Sequence, residues 1–265
     1  GGEAAMRAAF VEFAAAGDLA VVCADDTGSM ALAGGPSVVT YGLAESADYR
    51  MVDVERHRSG SSFALVRGGV DLGRIAVSMP GLHNARNGAA ATATALEMGL
   101  PIEAAQAALG RFGGVGRRFE PRGSARGIDF IDDYAHLPTE VSVAIDAAHD
   151  TGHDRVVAIF QPHRYSRTEA LWRDFADSFD RADLLIVTGI YSSGEAPRDG
   201  VTGRLIADAV ISGANPPELV YHDDRSTLAE RVVSLLRTGD LCLTLGAGDL
   251  VELPDELLGL LRSDG

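Results

Sequence analysis

The chain contains no lysine: all 23 of its basic side chains are arginines. Any chemistry that needs an ammonium from within these residues is therefore excluded, including a Schiff base or a phosphate-loop lysine. Bases are also outnumbered, 23 against 38 acids, for a net charge of −15. Nonspecific nucleic-acid binding and adsorption to an anionic membrane both need a positive field, so neither is expected. An anionic ligand has to be held by arginines gathered locally. There are only two cysteines, Cys23 and Cys242, each inside an apolar run. That leaves no disulfide framework and no zinc spacing, and points to buried thiols in a reducing compartment. No apolar run approaches the ~20 residues of a membrane span, and the amino terminus lacks the basic-then-apolar order of a secretory signal. A soluble, cytoplasmic protein is the expectation, and the oligomeric state is left open.

What is present is enough for two ordinary domains: 265 residues, of which 46% are hydrophobic. Residues 3–16 read as an alanine-rich amphipathic helix. Leu19 to Cys23 and Ser37 to Leu43 read as buried strands, and three further strand-like runs fall at Tyr49–Val54, Ser61–Val66 and Arg74–Met79. Pro80-Gly81-Leu82-His83-Asn84 breaks the last of these, and helices follow at Asn87–Met98 and Pro101–Phe112. The glycine-rich, then basic segment 113–120 reads as a hinge, with a domain boundary at about Phe119, dividing the chain into 1–119 and 120–265. Beyond it strand and helix alternate. Strands are expected at Ile128–Asp132, Val156–Phe160, Leu184–Thr188, Leu219–Tyr221 and Leu241–Leu245. Helices are expected at Pro138–His149, Ser166–Asp180, Gly203–Ile211, Thr227–Arg237 and Leu250–Arg262. This is the pattern of an α/β fold with a mainly parallel sheet and helices on both faces.

In such a sheet the residues just after each strand share one rim. Those positions carry Asp132, Asp133, Tyr134 and His136, then His163, Arg164 and Arg167, then Tyr191, then Gly246-Ala247-Gly248-Asp249. The stretch FQPHRYSRT, residues 160–168, is central: guanidiniums and an imidazole just before a helix form a surface suited to carboxylate or phosphate, aided by the helix dipole. A solvated basic turn is the alternative. Ser166 and Glu169 have capping-box spacing, which places the helix start at Ser166. Asp132 and Asp133 suit ribose hydroxyls or a magnesium ion, or simply a loop. The His149–Asp154 region resembles a metal cluster only superficially, because Gly152 interrupts it, and no metal site is assigned. Asn84 and Asn87 offer the donor and acceptor that an adenine edge needs, with His83 beside them; an N-cap is the structural alternative.

Read in order, PGLHNARN, GVGRRFE, IDDYAHLPTEV, FQPHRYSRT, ADLLIVTGIYSSGE and GDLCLTLGAGDL resemble the bacterial Mur ligases over essentially the whole chain. Within them, DDYxHxPTE and FQPHRYSRT resemble the branch that adds L-alanine to UDP-N-acetylmuramate. The resemblance implies a partial central ATPase domain (1–119) followed by a complete Rossmann-like carboxy-terminal domain (120–265). It implies ATP and Mg2+, a lactyl carboxylate activated as an acyl phosphate, attack by the amine of L-alanine, and a role in peptidoglycan precursor synthesis. His83, Asn84 and Asn87 match the adenine turn, Arg118 an arginine reaching the nucleotide, and Asp133 the ribose aspartate. Tyr134 and His136 match residues near phosphate and substrate. His163, Arg164 and Arg167 match the cluster that orients substrate carboxylates and alanine; with His136 these are the expected catalytic residues. Ala135 and Leu137 depart from the glycine and second histidine usual in that loop. The family's phosphate loop and magnesium ligands precede the matched region, as does its UDP-sugar domain. The expectation is a ligase fragment inactive by itself, the alternative a nonenzymatic module that binds nucleotide or amino acid.

Overall fold

An apolar, β-branched run closed by a polar turn and followed by an alanine-rich segment is a strand feeding a helix. The computed structural model, which describes residues 2–31 and 37–263, builds that alternation into two units, Gly1–Gly113 and Gly114–Gly265. The break falls at the start of the glycine-rich segment. Phe119, near which a boundary was expected, is buried in the core of the second unit.

The first unit runs α1 (Glu3–Ala16), β1 (Ala20–Cys23), α2 (Thr27–Ala31), β2 (Val38–Gly42), β3 (Tyr49–His57), β4 (Gly60–Arg67), β5 (Val70–Val77), α3 (Leu82–Glu97) and α4 (Ile102–Arg111). Its sheet keeps chain order, β1 to β5, with β1–β2–β3 parallel and β3–β4–β5 antiparallel. Tyr49, Met51, Phe63, Leu65 and Ile75 form the core with Ala85, Ala89 and Ala93, the small side chains that let α3 lie close to the sheet. Gly88 marks the closest approach: a Cβ there would stand 2.6 Å from Val77 Cγ2. Three expectations need correcting. Leu19 to Cys23 is not buried, since β1 is half-exposed along its length. The helix expected at Asn87 begins at Leu82, because Gly81 takes φ 95° and turns the chain five residues sooner. His83, Asn84 and Asn87 are therefore on α3 rather than on the turn before it. Third, Met6, Phe10 and Phe13 of α1 are exposed within the described residues.

The second unit runs β6 (Glu120–Ala125), β7 (Ile128–Asp133), α5 (Pro138–Asp150), β8 (Arg155–Phe160), α6 (Tyr165–Leu171), β9 (Leu184–Val187), α7 (Arg204–Ile211), β10 (Glu218–Tyr221), α8 (Leu228–Val233), β11 (Asp240–Leu245) and α9 (Leu253–Ser263). The sheet order is β10-β9-β8-β11-β7-β6, parallel throughout except for β6. Strands β8, β9 and β11 are near-continuous apolar runs because both their faces are covered. Val156, Ala158 and Phe160 face the core containing Val141 and Ile145 of α5 and Ile206 and Val210 of α7. Val157 and Ile159 face Leu228 and Val232 of α8 and Leu250, Leu253 and Leu257 on the other side. The sequence gives no sign of β6, whose Glu-Pro-Arg-Gly-Ser-Ala lacks apolar alternation; it is an antiparallel edge strand with an irregular register. The helix expected at 166–180 is shorter: α6 ends at Leu171, and a single 3-10 turn, Trp172–Phe175, follows. The two later helices likewise begin with 3-10 turns, Arg225–Thr227 and Asp249–Glu252.

Candidate functional site

Because β11 inserts between β7 and β8, the carboxyl ends of these three strands are neighbours, with β9 next in line. The side chains that follow them form a row of rings. Tyr134 meets His136 edge-on at 5.2 Å between centroids, His136 lies 5.7 Å from His163, and His163 stacks on Tyr191 at 5.8 Å. Arg117 and Arg118 lie over the Tyr134 ring, 4.9 and 5.6 Å from its centroid. Backbone bonds hold the centre of the row: Tyr191 N–H donates to Pro162 O at 2.9 Å, and Arg164 N–H donates to Tyr191 O at 2.8 Å. The rim expected from the strand ends is thus assembled in one unit.

The two histidines differ in environment. His163 Nδ1 lies 3.0 Å from Arg167 Nη1, which always donates, so this nitrogen is an acceptor and the proton of the neutral ring sits on Nε2. Burial, then Arg167, His136 and Arg164, push its pKa down to about 4. His163 is a neutral ring at physiological pH. His136 Nδ1 faces the carbonyl of Tyr134 at 2.8 Å and therefore carries a proton. Glu140 Oε2 is 3.5 Å from the same nitrogen. That carboxylate also accepts the backbone N–H groups of His136 (3.0 Å) and Leu137 (3.2 Å), which caps α5 and fixes the loop before it.

The start of α6 differs from the expected capping box. The cap residue is Arg164, at φ 70°, and Ser166 does not pair with Glu169. Glu195, from the loop after β9, accepts both Ser166 N–H (2.8 Å) and Ser166 Oγ (2.5 Å), while Glu169 pairs with Arg198. The chain's own carboxylate therefore fills the positive end of α6, and the dipole expected to assist an anion is already engaged. The cationic groups this loop still presents are the side chains of Arg164, which is exposed, and Arg167.

Asp132 and Asp133 both turn inward. Asp132, 1% exposed, accepts from Thr244 Oγ1 at 2.8 Å and pairs with Arg117 Nε at 3.2 Å. Asp133, 7% exposed, accepts Phe119 N–H and Ala135 N–H, each at 2.8 Å. Burial raises its pKa despite these two bonds and the nearby Arg118. The adjacent arginines also divide: Arg117 is fixed by Asp132 and by the carbonyl of Gly246 (2.6 Å), whereas Arg118 is exposed. Gly248 gives the row its space. A Cβ there would stand 2.4 Å from Tyr191 Cγ and 2.5 Å from Gln161 Oε1. Among the described residues no group of three His, Cys, Asp or Glu side chains is placed to hold a metal ion. His153 instead pairs with Asp129 at 2.9 Å.

In the sequence Tyr191 falls on the rim with no role attached to it, and Glu195 closes a family-like segment with none. The serine-glutamate spacing at 166 and 169 offered a local partner that hid the distant one.

In the first unit, Asn84 is 7% exposed and its Nδ2 donates to Pro80 O at 2.8 Å. His83 and Asn87 share the first two turns of α3 with it. Between Asn84 and Asn87, Arg86 donates through Nε to Asp25 Oδ2 at 2.8 Å. Asp25 also accepts the N–H groups of Leu43 and Ala44, both at 2.8 Å. Burial works against that carboxylate's charge, but the amides and Arg86 outweigh it and hold its pKa below the ordinary value. The end of β1 is thereby tied to the start of α3.

The Mur ligase middle domain matches residues 4–95, and the Mur ligase, glutamate ligase domain matches residues 117–248. Among curated relatives, the UDP-N-acetylmuramate--L-alanine ligase of Myxococcus xanthus is 41% identical over 265 residues, covering 97% of this chain and 56% of its own length. That of Geobacter sp. is 43% identical over 225 residues, 84% of this chain and 49% of its own. The chain thus spans about half the length of the curated relatives it matches. Among solved structures, UDP-N-acetylmuramate-alanine ligase MurC from Thermotoga maritima superposes with a TM-score of 0.76 at 26% identity, over 98% of this chain and 55% of that one.

Proposed function

The chain belongs to the Mur ligase family, and from that premise we propose that it carries the nucleotide-side and substrate-side loops of the ATP-dependent joining of L-alanine to UDP-N-acetylmuramate. The observation that carries this reading is the single rim of Tyr134, His136, His163, Arg164 and Arg167, with Arg167 bound to His163 and both histidines in the ring row. A carboxylate is a poor acyl donor until phosphorylated, which leaves its carbon electrophilic, and attack by the amine then develops negative charge on the carbonyl oxygen beside the phosphate oxygens. Arg164 and Arg167 would hold a substrate carboxylate by paired N–H bonds. Neutral His163 would donate from Nε2 without adding charge. Tyr134 would line the substrate's approach.

On the nucleotide side, Arg118 is the exposed arginine beside Tyr134. Asp133 keeps a second lone pair on each oxygen for a ribose hydroxyl. In the first unit Asn84 has committed its amide N–H to Pro80, so its side-chain carbonyl is the group left to meet an adenine edge, with Asn87 one turn along the same helix and His83 beside it. Mg2+ finds no cluster among the described residues, and no step here runs through it. Since these 265 residues hold no lysine, an ammonium acting on the ATP phosphates has to come from outside them.

The test has two parts. Calorimetry on the 265-residue chain should detect L-alanine or adenine nucleotide, weakened by R164A or R118A respectively, with no phosphate released from ATP, UDP-N-acetylmuramate and L-alanine. In a chimera with the amino-terminal half of the Myxococcus xanthus relative, ligation should appear and fall sharply in R164A and R167A. Binding without ligation in the chimera would favour the nonenzymatic module, and turnover by the 265 residues alone would refute the claim that they lack the activating group.

A further inference from the structure

An ammonium cannot attack an acyl phosphate until it gives up a proton, so the ligation needs a basic lone pair near the incoming amine. Most acceptors on the rim are already committed. Asp132 and Asp133 are buried on Arg117, Thr244 and two backbone amides. Glu195 holds Ser166, and Glu140 caps α5. His163 Nδ1 accepts from Arg167, which leaves only an N–H on the other side of its ring.

His136 has the opposite arrangement. Its Nδ1 proton is fixed by the Tyr134 carbonyl, so Nε2 of the neutral ring carries a lone pair, and no partner occupies it among the described residues. Behind the ring, Glu140 lies 3.5 Å from Nδ1, where a carboxylate stabilises the imidazolium as it forms. The other groups facing His136 are Tyr134 and His163, and the cations beyond them, Arg117 and Arg118 over Tyr134 and Arg167 on His163, are one residue removed. We propose that His136 is the proton acceptor for the attacking amine, that Glu140 is its positioning residue, and that His163 acts only as a hydrogen-bond donor. This rests on the ligase reading given above.

The step balances as follows. The bound ammonium gives one proton to His136 Nε2, and the freed lone pair forms the C–N bond at the acyl phosphate carbon. The C–O bond to phosphate then breaks, its electron pair stays on the phosphate oxygen, and the second nitrogen proton leaves with that oxygen as hydrogen phosphate. One proton remains on the amide. Low-pKa His163 is poorly matched to this exchange, since a base that holds no proton near neutrality cannot share one effectively.

Nitrogen-detected NMR of the 265-residue chain should show His136 with its proton on Nδ1 and His163 with its proton on Nε2. Glu140→Gln should move the His136 ring nitrogen resonances while leaving the α5 resonances in place; a Nε2–H tautomer at His136 would overturn the assignment. In the chimera, hydroxylamine, a weakly basic amine already unprotonated near neutrality, should still trap acyl phosphate in His136→Asn, with the ratio of hydroxamate formed to L-alanine ligated raised well above wild type. Ligation of L-alanine by that variant should fall roughly 100-fold near pH 7 and recover as pH rises. His163→Asn should show a loss independent of pH. Equal loss at every pH in His136→Asn, or pH recovery in His163→Asn instead, would sink the proposal. A wild-type chimera that makes neither hydroxamate nor amide would sink the ligase reading and this one together, whereas trapping with an unaffected His136→Asn ligation would sink this one alone.

Discussion

Replacing Gly248 with alanine isolates the packing on which the ring row depends. The backbone there has a negative φ, −104°, so the substitution does not call on the left-handed region that only glycine enters freely. What it carries is overlap: the new methyl would lie 2.4 Å from Tyr191 Cγ, 2.8 Å from Tyr191 Cβ and 2.5 Å from Gln161 Oε1. Turning the Tyr191 side chain about Cα–Cβ relieves the first of these but not the second, because Tyr191's backbone is fixed to Pro162 and Arg164. Moving Gln161 breaks its bonds to Asp249 (2.7 Å) and to the Leu250 amide (3.3 Å). The loop must therefore shift, at a cost of about 1–3 kcal/mol for overpacking. Two further glycines serve as references. At Gly246 the nearest neighbours of a Cβ are Gln161 atoms at 3.3 Å, so G246A should cost less than G248A. At Gly259, exposed on α9, a Cβ meets nothing within 4 Å, so G259A should stabilise by about 0.5–1 kcal/mol through helix propensity. Trp172 is the chain's only tryptophan and lies in the second unit, so urea unfolding followed by its fluorescence reports on that unit. G248A should also move the His163 ring resonances, since Tyr191 stacks on that ring. Stability equal to G259A, with His163 unmoved, would refute the packing argument.

Phe160 packs against Phe175 and Phe179 at centroid distances of 5.2 and 5.3 Å and is fully buried, so F160A should lose about 3–5 kcal/mol in the same urea assay. For D133N, one of the amides of Phe119 and Ala135 would face an NH2 group in place of an oxygen, which should cost about 1–3 kcal/mol and disorder the 117–119 segment by amide exchange. The neutral state of His163 gives a pH dependence with a definite sign. Its folded pKa, about 4, lies below the unfolded value of 6.5, so between them only the unfolded chain binds the proton. Stability from this group is full above pH 6.5 and falls as the pH drops toward 4. His163→Asn should flatten that part of a urea-midpoint profile; an unchanged slope would show that His163 is not its source.

Much of this arrangement is legible in the sequence where buried strands set the pattern. Runs such as Arg155–Phe160 and Asp240–Leu245 are apolar on both faces, which fixes parallel strands under two helical layers and brings their carboxyl ends to one rim. That pattern alone groups the residues that follow those runs. What was not legible depends on partners distant in the chain. Glu120–Ala125 pairs with β7 through main-chain bonds that leave no periodic trace in its side chains. Ser166 has an acceptor three residues away and bonds instead to Glu195, because the backbone bridge between His163 and Tyr191 sets the two loops side by side. Asp132 and Asp133 looked available for metal or ribose as sequence, yet the register of β7 against β11 turns the first toward Thr244. The helix containing His83 starts early because of one residue, Gly81, whose left-handed φ carries no sequence mark beyond being glycine.

The absence of lysine also bears on how the rim behaves electrostatically. A lysine ammonium changes its pKa readily when buried, whereas a guanidinium stays charged throughout the accessible range. Burial first, and then the constant positive field of Arg167 and Arg164 beside it, keeps His163 neutral well below the pH at which a free imidazole would ionise. Arg117, fixed by Asp132 and the Gly246 carbonyl, likewise keeps its charge and its position over Tyr134. The rim's positive charge is thus fixed, and among the described rim residues the imidazole with an uncommitted lone pair is His136, whose other nitrogen is held by a carbonyl and backed by Glu140. Fixed guanidiniums suit the task of holding a carboxylate that never changes charge, and a single uncommitted imidazole suits a proton that has to arrive and leave. Exchanging the two, with lysine at Arg167 or asparagine at His136, should separate these functions: the first weakens substrate capture at every pH, the second slows bond formation only where the amine is protonated.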